Sequence, residues 1–241
     1  MAVVLVAGAV AVGYTIAANV ALYVVAKQLS SALKPDIPTN ETNVHTDQSL
    51  STAAAAPRRI IYGEAVIGGQ VVGYKKTKED RDREYHNFIV HLAGHPSEEV
   101  VLHEIEGKPL GQVIAIVSTQ FFLGDQTTVP AAIVSNINGW TNDHVGFGQT
   151  YAYVKILVTD DFPNGVNSIK FKVKGKKVYD PRKDTTQGGD GEHRFDDEST
   201  WEWSSNPSLC SYDCLRRYGA KPVPRRRLPM DFIAVTANYC D

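Results

Sequence analysis

The sequence predicts a mainly β fold with short helices, an α+β class. Three observations carry this. Most apolar segments alternate with a period of two residues. Glycine and proline turn signals separate those segments. Helical patterning with a recognisable start falls mainly near the C-terminus, at about Asn206–Tyr218 and Asp231–Ala237. The expected layout is an apolar N-terminal helix over 1–34, a linker over 35–56, and a β-rich region over 57–241. That region has room for two subdomains.

Met1–Ala26 contains no charged side chain and is followed by Lys27 and Lys34. About 20 apolar residues suffice to cross a bilayer as a helix. A signal peptide would carry positive charge before its apolar core, and none is present. Two readings stay open: a membrane anchor, and a helix buried in a bundle of identical copies. Ala7, Gly8, Ala11, Gly13, Ala17, Ala18 and Ala21 would permit the close approach that a bundle needs. Ser30–Ala56, with Pro35, Pro38 and a polar Ser/Thr/Ala run, reads as a linker.

Pro57–Thr77 reads as a hairpin, with strands Ile60–Val66 and Val71–Lys75 around Gly68-Gly69. Glu79–Glu84 is a mixed-charge tip. Tyr85–Ala93 is the next strand, with His86, Phe88, Val90 and Leu92 on one face. Glu98–Ile105 alternates again, and Gly107-Lys108 turns it back. Over Gln112–Trp140, Val113–Val117 and Ala131–Val134 are strand candidates.

Gln149–Val158 is the best central strand. Ala152, Val154, Ile156 and Val158 make one face apolar, and Tyr151, Tyr153, Lys155 and Leu157 line the other. That composition suits a strand covered on both sides. Gly139, Gly146 and Gly148 punctuate its approach, which Trp140, Asp143 and His144 are expected to brace. Ile169–Val178 follows, with Lys170, Lys172 and Lys174 on its outer face. There they would discourage edge pairing. Lys183–Ser199 has almost no apolar content and is expected to be a mobile excursion near 183–199, or one ordered only by a neighbouring subunit. Asn206 caps a helix that Pro207 opens, with Cys210, Cys214 and Tyr218 on one face. Lys221–Pro229 is a basic connector, and Asp231 caps the last helix.

The chain has 241 residues, 43% hydrophobic and 22% charged, with net charge −2. This is a globular composition, and its near-neutral charge argues against nucleic acid as the partner of the folded surface. Three cysteines leave no even disulfide framework. Cys210 and Cys214 with His193 match a zinc site poorly. Cys210 near a helix start is the best nucleophile candidate, because such a position lowers a thiol pKa. No P-loop, nucleophile elbow or dinucleotide fingerprint is present. His91, His95, His103 and His144 read as satisfied structural groups. No catalytic, cofactor-binding or metal residue is assigned, and an enzyme is not expected.

Several blocks, in order, resemble the N-terminal hub region of the tip attachment protein J family of lambda-like phages. They are Pro57–Gly63, the Gly68-Gly69 turn, Leu92–His95, Gly139–Thr141, Tyr151–Ile156, Tyr179–Arg182, Trp203–Cys210 and Ala237–Asp241. The resemblance implies a virion structural protein of the tail tip: a trimeric central hub that closes the tail tube and carries the central fibre for host attachment and DNA ejection. The partners it implies are two further copies of the chain, distal tail proteins and the tail tube, with no nucleic acid in the resting state. Within that picture Met1–Ala26 packs near the three-fold axis, against the tape-measure protein, or contacts the host membrane on ejection. The family pattern continues where this sequence stops, at Asp241. The rival expectation is a membrane-anchored periplasmic or surface β-domain.

Overall fold

In the computed structural model, residues 50–52, 56–79, 83–160, 162, 166–218 and 221–241 are described. The expected helix over 1–34 and most of the linker lie outside them. The linker's end is engaged rather than free. Ser51 donates to Gly69 O at 3.0 Å and accepts from Val71 N at 2.8 Å, and Leu50 packs on the core.

The chain enters through β1 (Glu64–Ile67) and then forms the long hairpin β2 (Gln70–Glu79) and β3 (Arg83–Ala93). It returns through β4 (Glu99–Ile105) and β5 (Lys108–Pro109), a short helix α1 (Leu110–Val113) and β6 (Val117–Phe122). Helix α2 (Ala131–Asn136), β7 (Thr150–Leu157) and β8 (Ile169–Lys174) complete two antiparallel sheets. Their strand orders are β2-β3-β7-β6 and β1-β8-β4-β5. Short β9 (Lys177–Val178) and β10 (Glu202–Trp203) pair apart, and α3 (Pro207–Arg217) and α4 (Met230–Cys240) follow. The protein is therefore mainly β with short helices, as the alternation predicts.

The two sheets share one core. Phe88, Val90 and Leu92 of β3 and Ala152, Val154 and Ile156 of β7 meet Val100 and Leu102 of β4 and Phe171 and Val173 of β8. Burying each of these larger side chains contributes roughly 1.5–3 kcal/mol. The other face of β7 is covered too. Tyr151 and Tyr153 pack with Ile89, Phe122, and Ile133 and Ile137 from α2 and the residue after it. The central strand is thus buried on both faces, as its composition requires.

Several expectations fail for physical reasons. Gly68-Gly69 does not close a hairpin: β1 pairs with β8 and β2 with β3. The pair instead carries the chain from one sheet to the other. Gly69 has φ +78°, and a Cβ there would lie 2.5 Å from Val90 Cγ1. Ala131–Val134 is helical, not a strand. Its β-branched content suggests a strand, but burying Ile133 and Ile137, one helical turn apart, decides the conformation. Val113–Val117 is split between the end of α1 and the start of β6. Ile169–Val178 breaks at Gly175, whose N–H donates to Gly63 O at 2.8 Å. A Cβ on Gly175 would sit 2.1 Å from Ile61 O, so only glycine lets the chain pass there.

The lysines of β8 do not guard an edge, since β8 lies between β1 and β4. Each is paired across the sheet: Lys170 with Glu104 at 2.6 Å, Lys172 with Glu64 at 2.8 Å, and Lys174 with Glu99 at 2.6 Å. The ladder places opposite charges on adjacent strands, which stabilises the register.

Candidate functional site

The C-terminal layer has its own core of Val178, Tyr179, Trp201, Leu209, Tyr212, Ile233 and Ala237. A buried carboxylate is central to its junction with the sheets. Asn206 caps α3, accepting from Ser208 N at 3.0 Å and Leu209 N at 3.3 Å, and Pro207 occupies the first turn. That start sets which α3 side chains turn inward: Leu209, Tyr212 and Asp213. The sequence-based face of Cys210, Cys214 and Tyr218 is the wrong one. Cys214 and Tyr218 are exposed, because Asp213 rather than an apolar residue completes the buried face.

Asp213 is 2% exposed and faces three partners. Tyr62 Oη donates to its Oδ2 at 2.6 Å, and Lys176 Nζ lies 3.4 Å from the same atom. Arg217 Nε stands 2.8 Å from Oδ1, but the N–H is misaligned, so this is a charge contact rather than a directed hydrogen bond. Arg217 also donates to Glu198 at 2.6 Å, and both cations lie over the Trp201 ring. Two acids and two bases balance. Burial pushes the Lys176 amine below its ordinary range, against the pull of Asp213. Burial and the Asp213 carboxylate hold the Tyr62 phenol far above its usual range. The cluster is a neutral electrostatic joint between Tyr62 on the β1 approach, Lys176 after β8, and α3.

A second joint ties the C-terminus back. The Arg182 guanidinium grips Asp180 through both carboxylate oxygens and donates to Asn238 Oδ1 at 2.9 Å and to Asp241. Asn206 Nδ2 donates to Ala237 O at 2.8 Å and Asp241 Oδ1 at 2.7 Å. Asp241, exposed and without fold signal in the sequence, thus serves two elements at once.

The stretch expected to be a mobile excursion, Lys183–Ser199, is built on internal polar contacts. Asp184 is fully buried and accepts from Tyr179 Oη at 2.7 Å, Thr186 N at 2.8 Å and Thr186 Oγ1 at 2.7 Å. Burial raises its carboxyl pKa, and these donors more than offset that, leaving it below the usual range. His193 Nδ1 accepts from Asp180 N at 3.1 Å, and Trp201 Nε1 donates to Arg194 O at 2.8 Å. Polar residues here satisfy the backbone locally, a signal that apolar counting misses.

The sequence-based chemical candidates are dispersed. Cys210 Sγ donates weakly to Ser204 O, and burial pushes its thiol up, opposite to the lowering expected at a helix start. No grouping of three or more potential metal ligands occurs among the described residues. His95 is locked neutral: Nε2 accepts from Ile61 N at 2.8 Å and Nδ1 donates to Pro96 O at 2.7 Å. His144 Nδ1 accepts from Thr141 N at 3.1 Å and its ring packs 5.0 Å from that of Trp140, so this pair braces the β7 approach.

No protein-family model matches the chain, and no curated protein sequence matches it. Among solved structures, a chain from the virion of a native gene transfer agent particle is similar with a TM-score of 0.41 and 16% identity. The match covers 67% of this chain and 39% of that one, so this chain spans about two fifths of its neighbour's length.

Proposed function

We propose that this chain is a structural protein of a phage-type virion, acting without catalysis as the trimeric central hub of a tail tip. The observation that supports the reading is where the resembling blocks lie. Scattered in sequence, they are joined by hydrogen bonds. Gly94 N donates to Arg59 O at 2.9 Å, and Ile61 N to His95. Trp203 Nε1 donates to Gly63 O at 3.1 Å. Arg182 and Asn206 both bind Asp241. Blocks kept for one shared architecture should be tied in this way.

On this reading three copies close around an axis through one repeated head-to-tail interface, and the tube and distal tail proteins seat on the ring. Contact with the tape-measure protein is assigned on this reading to Met1–Ala26, which lies outside the described residues. The test is the solution mass of the full-length chain by light scattering, with antibody labelling of intact tails. A trimer and label confined to the distal tail tip are expected. A monomer at every concentration, or label on the head or along the tube, overturns the proposal.

A further inference from the structure

The outward face of α4 is apolar and uncovered. Phe232, Val235 and Tyr239 fall at i, i+3 and i+7 and are 63%, 52% and 87% exposed. The helix uses its other side for packing: Ile233 and Ala237 enter the core, and Thr236 meets Ser208 of α3 at 2.6 Å. Among the described residues nothing covers the exposed stripe, and the helix's packing side is already in use. Large aromatic side chains standing this far into water mark an interaction surface.

Directly ahead of α4, Arg225–Arg227 forms a single 3-10 turn. Arg225 is occupied, lying 4.1 Å over the Phe195 ring and donating to Gln187 Oε1 at 3.2 Å. Arg226 and Arg227 are exposed, and their guanidinium groups have no ion pair or hydrogen bond among the described residues. Cations at a helix N-terminus oppose the helix dipole, so stabilising α4 does not explain them. Asp231, an acid in the first turn, lies on the flank that lines a cleft with Pro181 and Arg182. Asp241 is held by Arg182 and Asn206.

We propose that this face docks on an anionic lipid surface. Phe232, Val235 and Tyr239 enter the boundary between headgroups and acyl chains, and Arg226 and Arg227 meet lipid phosphates. The charge distribution selects this occupant. A bilayer presents apolar depth and fixed negative charge together, which suits an exposed apolar stripe that follows two exposed, unpaired arginines in the chain. Two copies meeting face to face across α4 would bring the same two arginines together, and Asp241 at the far end of α4 is already bound. The contact is peripheral: no helix among the described residues is long and apolar enough to cross a membrane. The inference stands apart from the hub reading, since it concerns only α4 and the basic turn ahead of it.

The test uses the full-length chain in a Cys210→Ser/Cys214→Ser background, with an environment-sensitive fluorophore on Cys240, the residue after Tyr239. The labelled protein is titrated with vesicles of phosphatidylcholine alone, and with vesicles of phosphatidylcholine and phosphatidylglycerol in equal parts. Emission should rise and shift to the blue with the anionic vesicles only, and added salt should weaken the response. Arg226→Glu/Arg227→Glu should weaken partitioning at least about tenfold. Phe232→Ser/Tyr239→Ser should abolish the shift. Met1–Ala26, with Lys27 and Lys34 after it, is unchanged in both variants, so a loss of response in them reports on this face alone. An equal response to neutral vesicles, or one unchanged in the arginine variant, overturns the proposal. So does a response that grows with protein concentration and needs no lipid, which would assign the face to a second copy.

Discussion

Tyr62 donates a 2.6 Å hydrogen bond to Asp213 across 151 residues of sequence. The phenol stands on the approach to β1 and the carboxylate on the buried side of α3. The contact ties the helical layer to the strand framework, together with Lys176 on Asp213 and Trp203 on Gly63. Lys176 and Arg217 complete the neutralisation of Asp213. None of the three alone balances a charge so deeply buried.

Removing the carboxylate leaves the buried Lys176 ammonium with only Glu198, 3.9 Å away, and Tyr62 without its acceptor. Asp213→Ala should destabilise the fold by about 3–5 kcal/mol, the usual cost of breaking a buried pair. Tyr62→Phe removes one hydrogen bond to a charged group and should cost roughly 1.5–3 kcal/mol. Lys176→Ala should cost less than Asp213→Ala, because Arg217 still faces the carboxylate. Urea unfolding measures all three. Equal stability of Asp213→Ala and the parent would show that the joint contributes nothing.

The loop from Lys183 to Ser199 offers trypsin Lys183 and Arg194. Because Asp184 is buried and holds Tyr179 and Thr186, the parent should resist cleavage at both sites. Asp184→Ala should open the loop and speed cutting at these positions, with far-ultraviolet circular dichroism unchanged. Rapid cutting of the parent at either residue would return the loop to a mobile state.

The parts of this fold legible in sequence share a physical property. Their side chains partition by polarity alone. β7 and β3 alternate because one face enters the inter-sheet core, and Asn206-Pro207 announces a helix start through local backbone chemistry. Where polar groups are buried, the pattern gives no warning. Asp213 occupies a core position of α3, so the apolar count chose the opposite face. Asp184 organises a loop whose composition looked disordered. Gly68-Gly69 is chemically a good hairpin turn, yet strand pairing was decided by residues a hundred positions away, where Ala65 meets Val173. The joint at Asp213 had no local signal, since Tyr62, Lys176, Glu198 and Arg217 gather only in the folded chain.

The lysines of β8 should not behave as a basic stripe. Each is neutralised by a glutamate on β1 or β4, so the parent should pass through heparin at about physiological salt, where screening leaves little long-range attraction. Replacing Glu64, Glu99 and Glu104 together by glutamine frees three lysines on one face. That variant should be retained and should elute only as salt rises. Retention of the parent at the same salt would indicate that the pairs fail to mask the charge.

Stability should fall on mild acidification, before carboxylates begin to protonate. Burial lowers the pKa of His86, His91, His95 and His193 in the folded chain. For His95 the geometry explains why. Nε2 must stay unprotonated to accept from Ile61, while Nδ1 keeps its proton for Pro96. The unfolded chain has no such constraint and takes up protons near the ordinary histidine pKa of about 6.5. Below that pH the unfolded state binds more protons than the folded one, so stability is lost as pH falls and is complete above it. Each histidine contributes at most about 1.4 kcal/mol per pH unit within this window. The carboxylates of Glu99 and Asp184 are shifted down, so their contribution is lost only at lower pH, below about 4.5. Urea midpoints should therefore be flat above neutrality and decline between about pH 6.5 and pH 5. Nitrogen shifts should show the His95 ring as the neutral Nδ1–H tautomer at about pH 6, where a free imidazole is mostly charged. A midpoint that stays level to pH 5, or a doubly protonated His95 ring in the folded protein at pH 6, would contradict the locked tautomer.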